Sequence, residues 1–516
     1  MRRLGLVFAA AVALYLPTAR YGFVQDDRAI VAANPAAHSV SAALRAFDDP
    51  YWPPPSEAGL YRPLTVLSFA VDWQLSGGRA GWLHLMNALW HGLVTVLVTL
   101  VLARWLPHPG ALAAGLIFGL HPVHVEAVAG LVGRADLLAG AGVLGAVLLA
   151  RRRWWIAALL CAGLAMLSKE HGVIAGVAIL LDDWLESGGR PRYPAGFYLG
   201  ALGLTAGYLG LWFEVGRPAL AAVAPPFVGA SVPERLGLAF SAAWRGATLL
   251  VWPVDLSADY NPQVIPLPEG ATLPVLLGAV TLLAVGAGAW LLRRRGPAVA
   301  WALMVAALAY LPSSNLLFPS GVVLAERALY LPVLVPAAAV GVAMGSAWDR
   351  GRRRAAGGLL VALCLLLGWR SLDRLPVWRD NKTFLTTLLE EHPESYRAHA
   401  SAAAVLAGMG DTVGARREYQ RADSLFPADP HLAAARALYL LSLGDTVEVA
   451  SLLARARERL PEERVALRAE FLLWLERERL DRAAALADTA VARHGSELGW
   501  YRAVLQRVVD SLRAAR

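Results

Sequence analysis

Cysteine is nearly missing from this chain of 516 residues. The two that exist, Cys161 and Cys364, both lie inside apolar segments, which excludes a disulfide frame and a cysteine-built zinc site. Charge is scarce as well: 17% of residues are charged against 57% hydrophobic, with a mean hydropathy of +0.47. Soluble domains run at about 45–50% apolar, and here the excess is gathered in long runs, so the composition describes a polytopic membrane protein. Around Tyr21-Gly22-Phe23 there is no small-residue cleavage site, and the first apolar run therefore reads as a retained span. The net charge of +8 does not point to nucleic acid. Its basic clusters, Arg2-Arg3, Arg151 to Arg153, Arg293 to Arg295 and Arg350 with Arg352 to Arg354, sit at the ends of apolar runs, as cytoplasmic anchoring requires.

About 20 apolar residues cross a bilayer. Runs of that kind occupy 4–22, 82–106, 110–130, 135–150, 154–168, 171–186, 194–214, 234–252, 271–292, 297–312, 328–348 and 355–370, with 110–130 interrupted at His121-Pro122. Placing Arg2-Arg3 in the cytoplasm puts Arg151 to Arg153 and the Arg190/Arg192 loop there too. Arg293 to Arg295 follow only if 234–252, which carries Glu234, Arg235 and Arg245, is re-entrant or interfacial. Parity thus predicts eleven crossings, with everything after residue 370 outside.

From about Asp373 the chain turns charged and Ala-rich, with a helical period. Pro393, Pro427 and Pro461 are 34 residues apart, and Gly410-Asp411-Thr412-Val413 recurs 34 later as Gly444-Asp445-Thr446-Val447. The sets Ala415/Val449/Ala483 and Ala422/Ala456/Ala490 keep the same step. That period, with small residues at packing positions, is the tetratricopeptide pattern. It predicts three repeats, a partial one from Asn381 and a terminal helix from about Ser496. The expected division is a membrane domain over 1–372 and a repeat domain over 373–516.

Polar residues in the membrane half are few and grouped. Asp26 and Asp27 follow the first span directly; such a pair can act as a base or metal ligand, or can form a solvated turn. His84, Asn87 and His91 share one helix face, where helix-to-helix hydrogen bonding is the favoured reading over a cavity lining. His121, His124 and Glu126 fall within six residues but lack an i, i+4 pair and a third strong ligand, so shaping of a cavity is preferred to a metal site. Asp136, Glu170, Asn315 and Glu326 belong to the same expected face. Arg62, Arg134, Lys169 and Arg327 supply enough positive charge there to hold a phosphate, although Lys169-Glu170 also reads as a structural pair.

The series Phe23-Val24-Gln25-Asp26-Asp27, Tyr61-Arg62-Pro63-Leu64, His121-Pro122-Val123-His124-Val125-Glu126, Gly133-Arg134-Ala135-Asp136, Lys169-Glu170, Leu311 to Leu316 and Ala325 to Tyr330 resembles the transmembrane and tetratricopeptide-repeat O-mannosyltransferases. The likeness covers essentially the whole chain in order. It implies an all-α glycosyltransferase of the GT-C type, with a multi-span helical domain followed by an α-solenoid. It also implies a polyprenyl-phosphate sugar donor and transfer of mannose to Ser or Thr of secreted or membrane proteins by an inverting mechanism. The catalytic aspartate then corresponds to Asp26 or Asp27, Asp26 being preferred. The implied site is extracytoplasmic and the repeats would bind the polypeptide acceptor; no metal or other cofactor is assigned, a divalent cation being the less favoured alternative. Gln25 departs from the aromatic residue frequent in the family, and the short array suits a bacterial relative using undecaprenyl phosphate in an inner membrane. Rival expectations are a transferase acting on an envelope lipid or polymer, and a non-enzymatic membrane-anchored repeat scaffold.

Overall fold

A computed structural model describes every residue except 1, 54, 55, 57, 217–221, 462, 463, 478, 495–499, 515 and 516. The described residues are helices and loops, with no strand. They divide into two compact units, one of residues 1–222, 231–260 and 264–391, the other of 223–230, 261–263 and 392–516.

The first unit is a bundle of apolar helices. Among the described residues seven are long and apolar enough to cross a bilayer, or eight if His108–Leu120 and Pro122–Ala129, bent by 47° at their break, count as one span. That is fewer than the eleven expected from parity. Trp155–Ser168 and Ile174–Ser187 have 14 residues each, roughly 21 Å of helix against a hydrocarbon core of about 30 Å. The polar break at Lys169-Glu170 is what shortens both. Val232–Val251 has the length but carries Glu234, Arg235 and Arg245. Three-quarters or more of Leu131–Arg151 is buried (78%), whereas Ala195–Val215 and Arg353–Trp378 are 11% buried, which puts the former at the centre and the latter two at the periphery.

Small residues let the inner helices approach closely, as lipid-embedded packing requires. A Cβ on Gly110 would lie 2.4 Å from the Gly341 carbonyl, and one on Gly81 would lie 2.1 Å from the Ala19 carbonyl.

Polar groups collect at the two ends of this unit. At one end Arg104 pairs with Glu186 (2.5 Å), Arg151 with Asp182 (2.5 Å) and Arg192 with Asp183 (2.9 Å). The other end holds the loops that follow Arg20, Leu120, Ser168, Val215 and Tyr310, joined by long-range bonds such as Leu60 N–H to the Gly216 carbonyl (2.7 Å). Helix Val232–Val251 meets this loop end at both of its termini. Arg235 donates to the carbonyls of Asn315 (2.5 Å) and Leu316 (2.7 Å), and the Leu250 carbonyl accepts from His121 Nε2 (3.2 Å). It therefore runs along one face of the unit instead of through it.

In the second unit, Tyr396–Gly408 pairs with Thr412–Leu425, Pro430–Ser442 with Val449–Arg459, and Arg464–Glu476 with Leu480–His494. The first helices begin at 396, 430 and 464, a step of 34, and Ala415, Ala422, Ala456 and Ala483 are buried between them. This register is consistent with a solenoid of tetratricopeptide type. Gly410 and Gly444 turn the first two hairpins at φ +83° and +71°. Asp411 then caps the next helix by accepting Gly414 N–H at 2.8 Å, whereas Asp445 binds Arg416 instead, and its helix starts at Val449. Ser496 lies outside the described residues; the terminal helix is seen over Trp500–Ala514.

Candidate active site

The acidic stretch leaves the first helix as extended backbone at Tyr21 and turns at Gln25, which has φ +49°. Left-handed backbone is costly for a residue with a side chain, and here neighbouring contacts hold it in place. Gln25 N–H donates to Asn381 Oδ1 (2.7 Å), and Gly22 N–H donates to the Arg379 carbonyl (3.0 Å).

Past that turn the two carboxylates have different environments. Asp27 is 1% exposed; its Oδ1 accepts Val132 N–H (2.9 Å) and its Oδ2 accepts Val24 N–H (3.1 Å). Burial pushes this carboxyl up to about 7, against the pull of those hydrogen bonds. Asp27 therefore ties the acidic loop to the loop before Arg134. Asp26 is half-buried, and its carboxylate accepts no hydrogen bond from any described residue.

Three of the four expected cations surround this loop, each carrying a carboxylate. Arg62 grips Glu170 with two nitrogens, Nη2 to Oε2 at 2.7 Å and Nε to Oε1 at 3.0 Å, while its guanidinium lies 4.9 Å from the centre of the Tyr51 ring. Burial alone would raise the Glu170 carboxyl, but the Arg62 charge and hydrogen bonds, with a backbone hydrogen bond and the Lys169 charge, together hold the group below its ordinary range. Lys169 Nζ reaches both oxygens of Asp136, at 2.7 and 2.6 Å. Burial, helped by the charges of Arg62 and Arg327 and opposed by Asp136, lowers its ammonium. Arg327 pairs with Glu126 through both its backbone N–H (2.9 Å) and its side chain. It also lies close enough to Asp26, Asp136 and Arg62 to feel their charges. Asp26, Arg62, Lys169 and Arg327 thus form one electrostatic cluster. Its cations are partly exposed, by 13%, 14% and 27%, enough to meet a ligand.

Arg134 does not join them. It is fully buried and donates to Asn87 Oδ1 (2.8 Å), the Leu83 carbonyl (2.8 Å), the Ser68 carbonyl (3.4 Å) and Asp72. This corrects the expectation that it holds phosphate. With its donors turned inward, it locks three helices together.

The remaining polar residues brace the loops. Asn87 also donates towards the Val128 and Gly130 carbonyls, and His84 and His91 bond the Gly22 and Gly119 carbonyls, so that stripe joins helix to helix. His121 and His124 are buried and hold the carbonyls of Leu250 and Tyr330. Asn315, at φ +61°, closes its loop by donating to Val322 and Val323 and accepting Ser320 N–H (2.7 Å). Glu326 accepts Ser257 N–H (2.8 Å) and the Tyr260 hydroxyl (2.9 Å); burial, with the Glu126 charge adding to it, pushes its carboxyl up to about 7. Among the described residues no group of three or more His, Cys, Asp or Glu is placed to hold a metal ion.

The chain is similar to known proteins over much of its length. It is 28% identical to protein O-mannosyl-transferase Tmtc1 of Drosophila melanogaster over 80% of its own length and 60% of that protein. Protein O-mannosyl-transferase TMTC3 of Homo sapiens is 29% identical over 64% of this chain and 41% of its own. Drosophila Tmtc2 reaches 39% over 34% of this chain and 20% of its own. All three of these relatives are named protein O-mannosyl-transferases. The chain spans 60% or less of the length of these three relatives. No family model matches it, and no solved structure does.

Sequence reasoning missed two residues of the cluster. Tyr51 sits in a Pro-rich loop and carries no motif; only the fold brings it under Arg62. His171 follows Lys169-Glu170 directly, and its Nδ1 lies 3.9 Å from Asp136. Burial lowers its imidazole to about 4. Adjacency to an ionic pair was the signal that could have flagged it.

Proposed function

We propose that this chain is a membrane glycosyltransferase that moves a mannosyl group from a polyprenyl-phosphate donor to Ser or Thr hydroxyls of secreted or membrane polypeptides. The observation that carries this reading is Asp26, a carboxylate with no hydrogen-bond partner among the described residues, in electrostatic reach of Arg327, which shares a cluster with Arg62 and Lys169; all three cations are partly exposed. In the step we envisage, Asp26 takes the proton of the acceptor hydroxyl as its oxygen bonds to the anomeric carbon. The bond from that carbon to the phosphate oxygen breaks, and the phosphate leaves with the electron pair. Attack from the side opposite the leaving group inverts the anomeric centre.

Arg62, Lys169 and Arg327 stabilise the departing phosphate, loosening from Glu170, Asp136 and Glu126 as its charge develops. Asp27 holds the loop that aims Asp26. The Arg-rich turns lie at the opposite end of the unit, which supports a cytoplasmic location for that end and an extracytoplasmic site. The interfacial course of Val232–Val251 supports the same parity. The helix hairpins after residue 392 would present the acceptor polypeptide.

The test is transfer itself. The purified full chain in nanodiscs, given polyprenyl-phosphate mannose and Ser/Thr-containing peptides, should yield peptides heavier by one hexose. Secreted proteins of cells lacking the gene should lose the same modification. Peptides and secreted proteins that carry no such hexose overturn the proposal.

A further inference from the structure

Tyr51 is 3% exposed, and its hydroxyl has no hydrogen-bond partner among the described residues. Leaving a buried hydroxyl unmatched is unfavourable, and such atoms are rare enough in folded proteins to call for a reason. Its surroundings suggest one. The backbone around it is firmly held, with Tyr51 N–H on the Leu60 carbonyl (2.8 Å), Trp52 N–H on Gly59 (3.2 Å), and Gly59 and Leu60 both left-handed (φ +62° and +66°). The ring belongs to the same buried apolar cluster as Ile30, Phe69 and Leu131 and lies beneath the Arg62 guanidinium. The hydroxyl is close enough to Asp26, Asp27, Arg62 and Arg327 to interact with all four charges. A rigid donor thus stands amid the catalytic loop and two of the phosphate-facing cations, with no acceptor for its hydrogen among the described residues.

We infer that the Tyr51 hydroxyl is a phosphate-binding group of this site, donating to a non-bridging oxygen of the lipid-phosphate donor held by Arg62 and Arg327. The inference rests on the proposed function and adds a residue to it. A neutral donor suits this position because both cations already carry carboxylates. When Arg62 swings from Glu170 to the phosphate, the ring beneath it keeps the guanidinium plane oriented.

The test is Tyr51→Phe, which removes one oxygen and leaves the ring. Tyr15→Phe is the control, since the Tyr15 hydroxyl is likewise buried and without a partner among the described residues but lies in the first helix against His91. Binding of polyprenyl phosphate without sugar is measured by ligand-induced thermal shift of the full chain in nanodiscs, and KM for polyprenyl-phosphate mannose by transfer. Tyr51→Phe should weaken polyprenyl-phosphate binding about tenfold or more and raise KM similarly, with melting of the ligand-free protein unchanged or improved. Tyr15→Phe should leave both unchanged. A Tyr51→Phe protein that binds polyprenyl phosphate like wild type overturns the inference, whether or not its melting point falls. If Asp26→Asn abolishes transfer while Tyr51→Phe changes nothing, the inference fails and the proposed function stands. If wild type binds polyprenyl phosphate and transfers no sugar, the function fails while the binding comparison still decides Tyr51. Wild type that binds no polyprenyl phosphate overturns both.

Discussion

Asparagine at position 26 and asparagine at position 27 should damage this protein in different ways, although the two residues are adjacent. At Asp26 the carboxylate accepts no hydrogen bond from a described residue, so Asp26→Asn should fold as wild type does. What it removes is basicity, typically ~10²–10⁴-fold in rate, or about 3–5 kcal/mol of barrier. At Asp27 both oxygens accept backbone N–H groups. An amide offers one oxygen, so either Val24 or Val132 loses its acceptor, at about 1–3 kcal/mol of stability.

The pH dependence has a definite sign. The Asp27 carboxyl titrates at about 7 when folded and near 3.8 when unfolded. Below pH 4 both states hold the proton. As pH rises the unfolded chain loses it first, so wild type is progressively destabilised between about pH 4 and 7, and the loss is constant above that. Three units correspond to an upper bound of about 4 kcal/mol. Asp27→Asn has no such term. It should be less stable than wild type at pH 5 and close the gap, or reverse it, at pH 8. Thermal melting in detergent at the two pH values, with transfer measured at pH 7, checks both variants; Asp48→Asn, in the same loop but exposed, should be nearly silent. The reasoning is refuted if Asp27→Asn abolishes transfer with unchanged melting at both pH values while Asp26→Asn remains active.

Removing Asp72 should reveal Arg134 as a structural group: Asp72→Ala leaves a fully buried guanidinium without its carboxylate and should cost about 3–5 kcal/mol, read as loss of the monodisperse peak after heating. A normal melting profile would return Arg134 to the candidate ligands. Neutral substitution of Arg62 or Arg327 should weaken donor binding in the thermal-shift assay, and Arg62→Lys should rescue only partly, because the two-pronged geometry is lost. Unchanged affinity in Arg62→Ala would make it a partner of Glu170 alone. Gly110→Ala forces a Cβ to 2.4 Å from the Gly341 carbonyl, so the two helices must separate; folded yield should fall sharply, and wild-type yield would mean that this crossing is looser than it looks. Reporter fusions after Arg295 and after Arg370 should report opposite sides of the membrane, and agreement between them would rule out the eleven-pass path.

What the sequence by itself determined rests on periodic or compositional signals. Long apolar runs specify membrane helices because the bilayer demands length and apolarity together. The 34-residue step specifies helix hairpins because each must bury its face on a neighbour, and the first helices keep that step at 396, 430 and 464. The acidic pair, Arg62, Lys169-Glu170 and Glu326-Arg327 were visible as charge placed where charge is costly. Tertiary structure decided which of these groups remain available. Asp26 and Asp27 are alike in sequence, but a left-handed turn at Gln25, held by Asn381 from 356 residues away, buries one and leaves the other accessible. Arg134 resembled the other cations until Asp72 and Asn87, on two different helices, were seen to enclose it. Tyr51 had no signature at all. Whether a charge binds a ligand or locks the fold depends on which partners reach it first, and those partners come from distant parts of the chain.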